Sequence, residues 1–315
     1  MMKKIEVIGM MARFLGYLPS DYHTLLTIWL PEDKKNMVNF NGQLLQDCPE
    51  SFVLLQRAAF YGDGLFETVR AFNGQIPFWS LHWDRFSTGL KVLGFEVPSH
   101  WTTDYFEKAL IQISPPNARI RLTAWRSPGG FYLPTDNSPL FLVTTEPLKS
   151  SVFEWDTSGL EVSICETIRL PLDSLSGIKM LNGVRYVAAA REALARGMDD
   201  VILLNAHERV SETSNSNIMW LNGEIVFIPH SFEGQIKGTL LNILCNLLRK
   251  EGWEVREKPA FVGDLLGADE LLLTNAIGGI RWVRKLDGTV YKHEKGLQFS
   301  NLLANHLLSK LAEKR

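Results

Sequence analysis

The sequence predicts an α+β protein of two domains, a small N-terminal α/β domain and a larger C-terminal one. Three observations carry that expectation. A chain of 315 residues with 45% hydrophobic content is long enough to fill two cores. Strand-like and helix-like segments follow one another in mixed order, without a regular strand-helix alternation. Between two sets of strands lies KSSVFEWDTSG, a polar Ser- and Gly-bearing stretch that reads as a connection. The expected divisions are an N-terminal extension over 1–36, the small domain over 37–148, a linker over 149–158 and the large domain over 159–315.

Residues 1–36 carry no assignable role, and a partly helical stretch is expected from His23 to Trp29. The opening MMKKIEVIGMMARFLGYLPS is not read as a signal peptide, because Glu6 and Arg13 interrupt its apolar stretch. From Met37, MVNFNGQLL alternates about an Asn-Gly pair and predicts a hairpin. ETVRAFNGQIPFW predicts two more short strands about Asn73-Gly74, followed by a helix over 80–94 with Ser80 as its N-cap. ARIRLTAW and PLFLVTTEPL read as strands, and RSPGGFYLPTDNS between them as a loop. In the second half GLEVSICE, DDVILLN, SNIMWLNG, GEIVFIP and ELLL read as strands, with helices over 184–196, 238–252 and 297–314.

A formal net charge of −2 leaves no global basic field, which disfavours nucleic acid or an anionic membrane surface as a partner. No apolar run reaches the roughly 18 residues of a membrane-spanning helix. Cys48, Cys165 and Cys245 are scattered without paired spacing, so neither a disulfide framework nor a metal site is expected. A small-molecule protein of the reducing cytoplasm fits best.

Five places stand out chemically. Lys179 ends an irregular segment before a helix in SGIKMLNGVRYVAAAREALARG, and Glu212 opens a polar run in RVSETSNSNIMWLNGEIVFIP. Arg85 in LHWDRF offers a guanidinium fork suited to phosphate oxygens. Two turns, IKGTLLNIL with Gly238, Thr239 and Leu240, and TNAIGGIRWV with Thr274, Asn275, Ala276 and Ile277, could present backbone N–H groups to an anion. Each is by itself a weak signal, since a surface lysine, a helix arginine or an ordinary cap would look the same.

Their order and surroundings resemble one family, the fold type IV pyridoxal-phosphate enzymes that include branched-chain aminotransferases, D-amino acid aminotransferases and 4-amino-4-deoxychorismate lyases. The resemblance runs from about Met37 nearly to the C-terminus. It implies pyridoxal 5'-phosphate as cofactor, Lys179 as its Schiff-base lysine and proton shuttle, and Glu212 as partner of the pyridine nitrogen. It also implies a phosphate clamp from Arg85, from Gly238, Thr239 and Leu240, and from Asn275, Ala276 and Ile277. At Leu240 many relatives carry Thr, so a hydroxyl is lost or supplied by Thr239; at Ala276 lyases commonly carry Ser.

Within the family the motifs lie closest to the aminodeoxychorismate lyases. YGDGLFETVR has F-E-T where branched-chain aminotransferases usually have F-E-G, which puts Thr68 at the substrate, with Tyr61 in the same run. Arg119 and Arg121, two apart on a strand, share a face and suit an anionic substrate. The Arg-His carboxylate trap of D-amino acid aminotransferases is replaced by Gly129 and Phe131. The resemblance thus implies a lyase releasing pyruvate from aminodeoxychorismate for folate synthesis. A branched-chain aminotransferase using 2-oxoglutarate, and a cofactor-binding protein of this fold without turnover, stand as alternatives. A homodimer acting on a small amine is implied as well.

Overall fold

The computed structural model describes residues 53–313 together with the backbone of four short strands before them. These are β1 (Lys3–Glu6) and β2 (Thr27–Leu30), which pair antiparallel, and β3 (Val38–Phe40) and β4 (Gln43–Leu45), the hairpin expected about Asn41-Gly42. Helix was expected through Trp29, but Thr27–Leu30 is extended. Its β-branched and aromatic residues, T-I-W, favour a strand. Residues 23–26 of that expectation, and Cys48, lie outside the described residues.

The small sheet follows helix α1 (Gln56–Tyr61) and consists of β5 (Gly64–Ala71), β6 (Ala118–Arg126) and β7 (Pro139–Pro147), all antiparallel in the order β5-β6-β7. Helices α2 (Trp79–Val92) and α3 (Thr103–Ile113) cover one face. On β5 and β6 the period of two divides the residues: Leu65, Val69, Ile120 and Leu122 join Phe86, Leu90, Phe106 and Leu110 in the core. Phe66, Thr68, Arg119 and Arg121 occupy the other face and are half-buried.

Two local expectations change here. Asn73 and Gly74 both take positive φ, as the tight turn requires, but the returning strand is a single bridge between Phe72 and Gln75. Pro77 lacks the N–H a longer ladder needs, and the chain enters α2 at once. Ser80 therefore lies inside α2, whose N-cap position is Phe78. The capping signal that does operate is at α3, where the Thr102 hydroxyl accepts the Tyr105 N–H at 3.2 Å.

The large sheet is mixed. Its strands are β8 (Leu160–Leu170), β9 (Asp200–Asn205), β10 (Val210–Thr213), β11 (Asn217–Asn222), β12 (Ile225–Pro229), β13 (Glu254–Lys258), β14 (Glu270–Asn275), β15 (Gly279–Leu286) and β16 (Thr289–Val290). The order is β10-β9-β8-β15-β14-β11-β12-β13, with β16 on β15; β8 runs parallel to β9 and β15, as β12 does to β13. Central strands such as β9 and β11 are apolar on both faces because both are covered. Met219 and Leu221 pack with helices α5 (Thr239–Lys250) and α7 (Glu294–Glu313), while Ile218 and Trp220 join Leu271, Leu273 and Val283 on the other side. Helix α4 (Val184–Ala195) covers β8 and β9 through Ala189 and Ala193, and the short α6 (Val262–Leu266) adds Leu265.

The ties between the two sheets include two on β5. Arg70 at the end of β5 is buried between the Phe72 and Phe153 rings and donates to the carbonyls of Ser150, Val152 and Ile277. The Lys179 segment lies along β5, with Leu65 bridged antiparallel to Met180.

Candidate active site

Residues 171–183 form no helix, and their end is fastened to the small sheet. The Phe66 N–H donates to the Lys179 carbonyl and the Leu181 N–H to the Gly64 carbonyl, both at 2.9 Å. Gly64 is needed there, since a Cβ would lie 2.2 Å from the Ala124 carbonyl oxygen. The Lys179 Nζ then stands 4.6 Å from the centre of the Phe66 ring. Burial pushes its amine below the usual lysine range; Arg85 and Arg121 push the same way, against Glu67 and Glu212. Lowering favours the free amine, the form that acts as nucleophile and base.

Facing it, Glu212 sits at an irregularity in the pairing of β10 with β9. One carboxylate oxygen accepts from the Tyr186 hydroxyl at 2.7 Å and the Ile236 N–H at 3.1 Å, the other from the Asn217 amide at 3.4 Å. Burial nevertheless raises its pKa to about 7, against those bonds and the attraction of Lys179 and Arg85. The Asn217 amide also donates to the Ile236 carbonyl at 2.7 Å. This fixes the role of Gly238: a Cβ there would fall 1.7 Å from Asn217 Oδ1, so the close approach it permits is that of Asn217.

The anion-binding turns converge beside this pair. Helix α5 begins at Thr239, and among the described residues no acceptor engages the N–H groups of Thr239 and Leu240. The Leu240 side chain is buried in the apolar cluster of α5 and α7, a place that favours a hydrocarbon over a hydroxyl. Arg85 reaches the same place; its Nε and Nη2 grip the Glu67 carboxylate at 2.7 and 2.6 Å and its Nη1 donates to the Lys237 carbonyl at 2.7 Å. A guanidinium has five N–H groups, so two remain for a ligand.

In the second turn Asn275 Oδ1 accepts from the Ile277 and Gly278 N–H groups at 3.0 and 2.7 Å. Ile277, expected to donate to an anion, is thus engaged internally, which leaves the Ala276 N–H. Beside it the Thr274 hydroxyl is buried with no partner.

Thr68, Arg119 and Arg121 form the opposite wall, with Thr68 directly across from Arg121 in the β5–β6 register. The Arg121 guanidinium lies 3.8 Å over the Phe66 ring and donates to the Thr123 hydroxyl at 3.3 Å. Arg119 pairs with Glu146 at 3.0 Å. All the expected residues except Tyr61 line one cavity of about 750 Å³. The Tyr61 ring instead meets Tyr132 at 5.5 Å, beneath the Arg57 guanidinium. A second space of about 650 Å³ shares Arg85, Lys179, Gly238 and Thr239.

Sequence reasoning passed over Tyr186, Asn217 and the pair Glu67 and His82. Tyr186 had a usable signal: it falls in the first turn of the helix that follows Lys179. Among the described residues no cluster of three His, Cys, Asp or Glu could hold a metal, and no helix is long and apolar enough to cross a membrane. Cys165 and Cys245 are buried thiols.

Comparison with known proteins gives a consistent picture. The family model for amino-transferase class IV matches residues 64–286. An aminodeoxychorismate lyase of Vibrio harveyi is 28% identical over 236 residues, covering 74% of this chain and 86% of that one. A putative branched-chain-amino-acid aminotransferase of Methanocaldococcus jannaschii is 27% identical over 263 residues, covering 82% and 90%. In fold, a T.th. branched-chain amino acid aminotransferase, solved in complex with N-(5'-phosphopyridoxyl)-L-glutamate, matches with a TM-score of 0.70 at 20% identity over 85% of this chain and 92% of that one.

Proposed function

Because the chain belongs to the amino-transferase class IV family, whose members bind pyridoxal phosphate, we propose that it binds pyridoxal 5'-phosphate and acts as a lyase on 4-amino-4-deoxychorismate. The products are 4-aminobenzoate and pyruvate, a step of folate synthesis. Together they contain every atom of the substrate, so no keto acid is consumed.

The site fits the cofactor on three counts. The buried Thr274 hydroxyl lacks a partner that a phosphate oxygen would supply. Glu212 is buried with its pKa raised, a carboxylate that a protonated pyridine nitrogen would stabilise. Lys179 is desolvated and so suited to hold an aldehyde through its amine. The phosphate would rest on the N–H groups of Thr239, Leu240 and Ala276 and on Arg85.

When bound, the cofactor supplies an electron sink for the charge left as a proton leaves the carbon that bears the substrate amine. Lys179 takes that proton. Glu212, held by Tyr186, the Ile236 N–H and Asn217, keeps the pyridine nitrogen protonated. Lys179 or the Thr68 hydroxyl protonates the departing pyruvate, while Arg121 and Arg119 orient the substrate's carboxylates.

The observation that supports a lyase over a branched-chain aminotransferase is the wall opposite Glu212. There a hydroxyl, Thr68, faces Arg121 across the sheet with Arg119 beside it, a cationic surface suited to a dicarboxylate and poorly suited to a neutral branched side chain. The similarity to the Methanocaldococcus jannaschii protein keeps transamination as the second reading. Supplying aminodeoxychorismate without keto acid to the loaded protein is expected to yield both products in equal amounts, lost in Lys179→Ala. No product, despite a cofactor absorbance that the variant lacks, rejects the lyase and turns the search to amino-acid and keto-acid pairs.

A homodimer belongs to the same proposal. Phe131, Tyr132 and Leu133 stand 69, 90 and 83% exposed on a loop whose Gly129 and Phe131 carbonyls are held by buried Arg57, a preformed apolar tip for a second copy. Sedimentation as a monomer would refute it.

A further inference from the structure

Behind the cavity, a buried chain of polar groups joins the small sheet to the start of α5. Glu67 is on the core face of β5, between Leu65 and Val69, where a carboxylate survives only if fully bonded. Arg85 grips both its oxygens, and His82 Nδ1 lies 2.7 Å from one of them. The other ring nitrogen, Nε2, lies 3.2 Å from the Thr239 hydroxyl. His82, Glu67 and Thr239 are each at most 5% exposed.

The hydrogens can be assigned. Arg85 holds Glu67 ionised, its pKa down at about 2, so its oxygens only accept and the proton of the contact is on His82 Nδ1. Burial keeps the imidazole neutral, which leaves Nε2 bare. The Thr239 hydroxyl must then donate to His82. It has one proton, so it cannot also donate to a phosphate, and the hydroxyl absent at Leu240 is not replaced by its neighbour.

We infer that His82 is a positioning residue for the phosphate site: by bonding Glu67 and Thr239 at once, it holds the first turn of α5 in register with the Arg85 guanidinium. The Lys237 carbonyl, one residue before Gly238, closes the loop by accepting from Arg85. The two donor sets that flank the phosphate, N–H groups of α5 and guanidinium N–H groups of α2, are thereby fixed to each other without His82 touching the ligand. This rests on the reading that the start of α5 takes the cofactor phosphate.

The test compares two aldehydes that differ only in the phosphate. Pyridoxal 5'-phosphate and pyridoxal are titrated by equilibrium dialysis against the full-length, cofactor-free protein. The variants are His82→Asn, which keeps the reach to Glu67, Thr239→Val, which keeps shape and N–H, and both together. Each single variant is expected to weaken pyridoxal 5'-phosphate roughly 3- to 10-fold, the effect of one buried hydrogen bond, and to leave pyridoxal unchanged. The double variant is expected to match the singles, since both cut the same contact. Equal weakening of both aldehydes, additive effects, or no effect would overturn the inference. Wild-type protein that binds the two aldehydes equally would overturn instead the phosphate reading on which it rests. Should His82→Asn fail to fold, Thr239→Val alone decides.

Discussion

The two walls of the Lys179 cavity are built on opposite terms. On the large-sheet side, Glu212, Asn217 and Thr239 are buried, and Tyr186, Ile236 and Asn217 fix the carboxylate through bonds made before any ligand arrives. On the small-sheet side, Thr68, Arg119 and Arg121 are half-buried, and Arg121 has a ring face and one long hydrogen bond. Satisfied, buried groups hold one geometry, whereas half-solvated cations can reorient toward whatever anion enters. The first wall therefore suits an invariant partner, the cofactor, and the second a selected one, the substrate.

Substitutions on each side test that division. Lys179→Ala removes the group common to both and is expected to abolish the cofactor absorbance and lower turnover by roughly 10³-fold or more. Glu212→Gln comes next. The carboxyl titrates at about 7 when folded, above its ordinary 4.5, so the folded chain binds the proton more tightly. Its contribution to stability is complete below pH 4.5 and lost as pH rises through about 7. It amounts to on the order of 3 kcal/mol. Thermal melting of the cofactor-free protein should fall over that window, and the Gln variant should flatten the fall; an unchanged slope would remove Glu212 from the account.

On the other wall, Arg121→Gln should raise KM for a dicarboxylate by roughly 10- to 100-fold while leaving the affinity for pyridoxal 5'-phosphate unchanged. Weakened cofactor binding would erase the distinction between the walls. Arg119→Gln, already paired with exposed Glu146, should change KM by no more than about 3-fold.

The residues legible in the sequence were those with a local signature. Lys179 precedes a helix, Glu212 opens a polar run, the two Thr-bearing turns adjoin a helix start and a strand end, and Arg119 and Arg121 follow from the period of a strand; the family resemblance joined these weak signals, and the fold brings them to one cavity from distant parts of the chain. What stayed hidden depends on pairings far apart in sequence. His82 sat within the segment that marked Arg85, yet its partner is Thr239, 157 residues away. Glu67 could not be read as buried until Arg85 was placed over it, and Tyr61 projects away from the run that holds Thr68. The partly helical stretch expected through Trp29 gives way to strand at Thr27–Trp29, because a short apolar run has no period to decide it.

The fastening of Lys179 has a mechanical consequence. The lysine belongs by chain order to the segment leading into α4, but its two flanking hydrogen bonds and the single Leu65–Met180 bridge fasten it to the β5 edge of the small sheet. The amine is therefore placed by the small sheet and the Glu212 carboxylate by β10 of the large one, so the reacting pair spans both sheets.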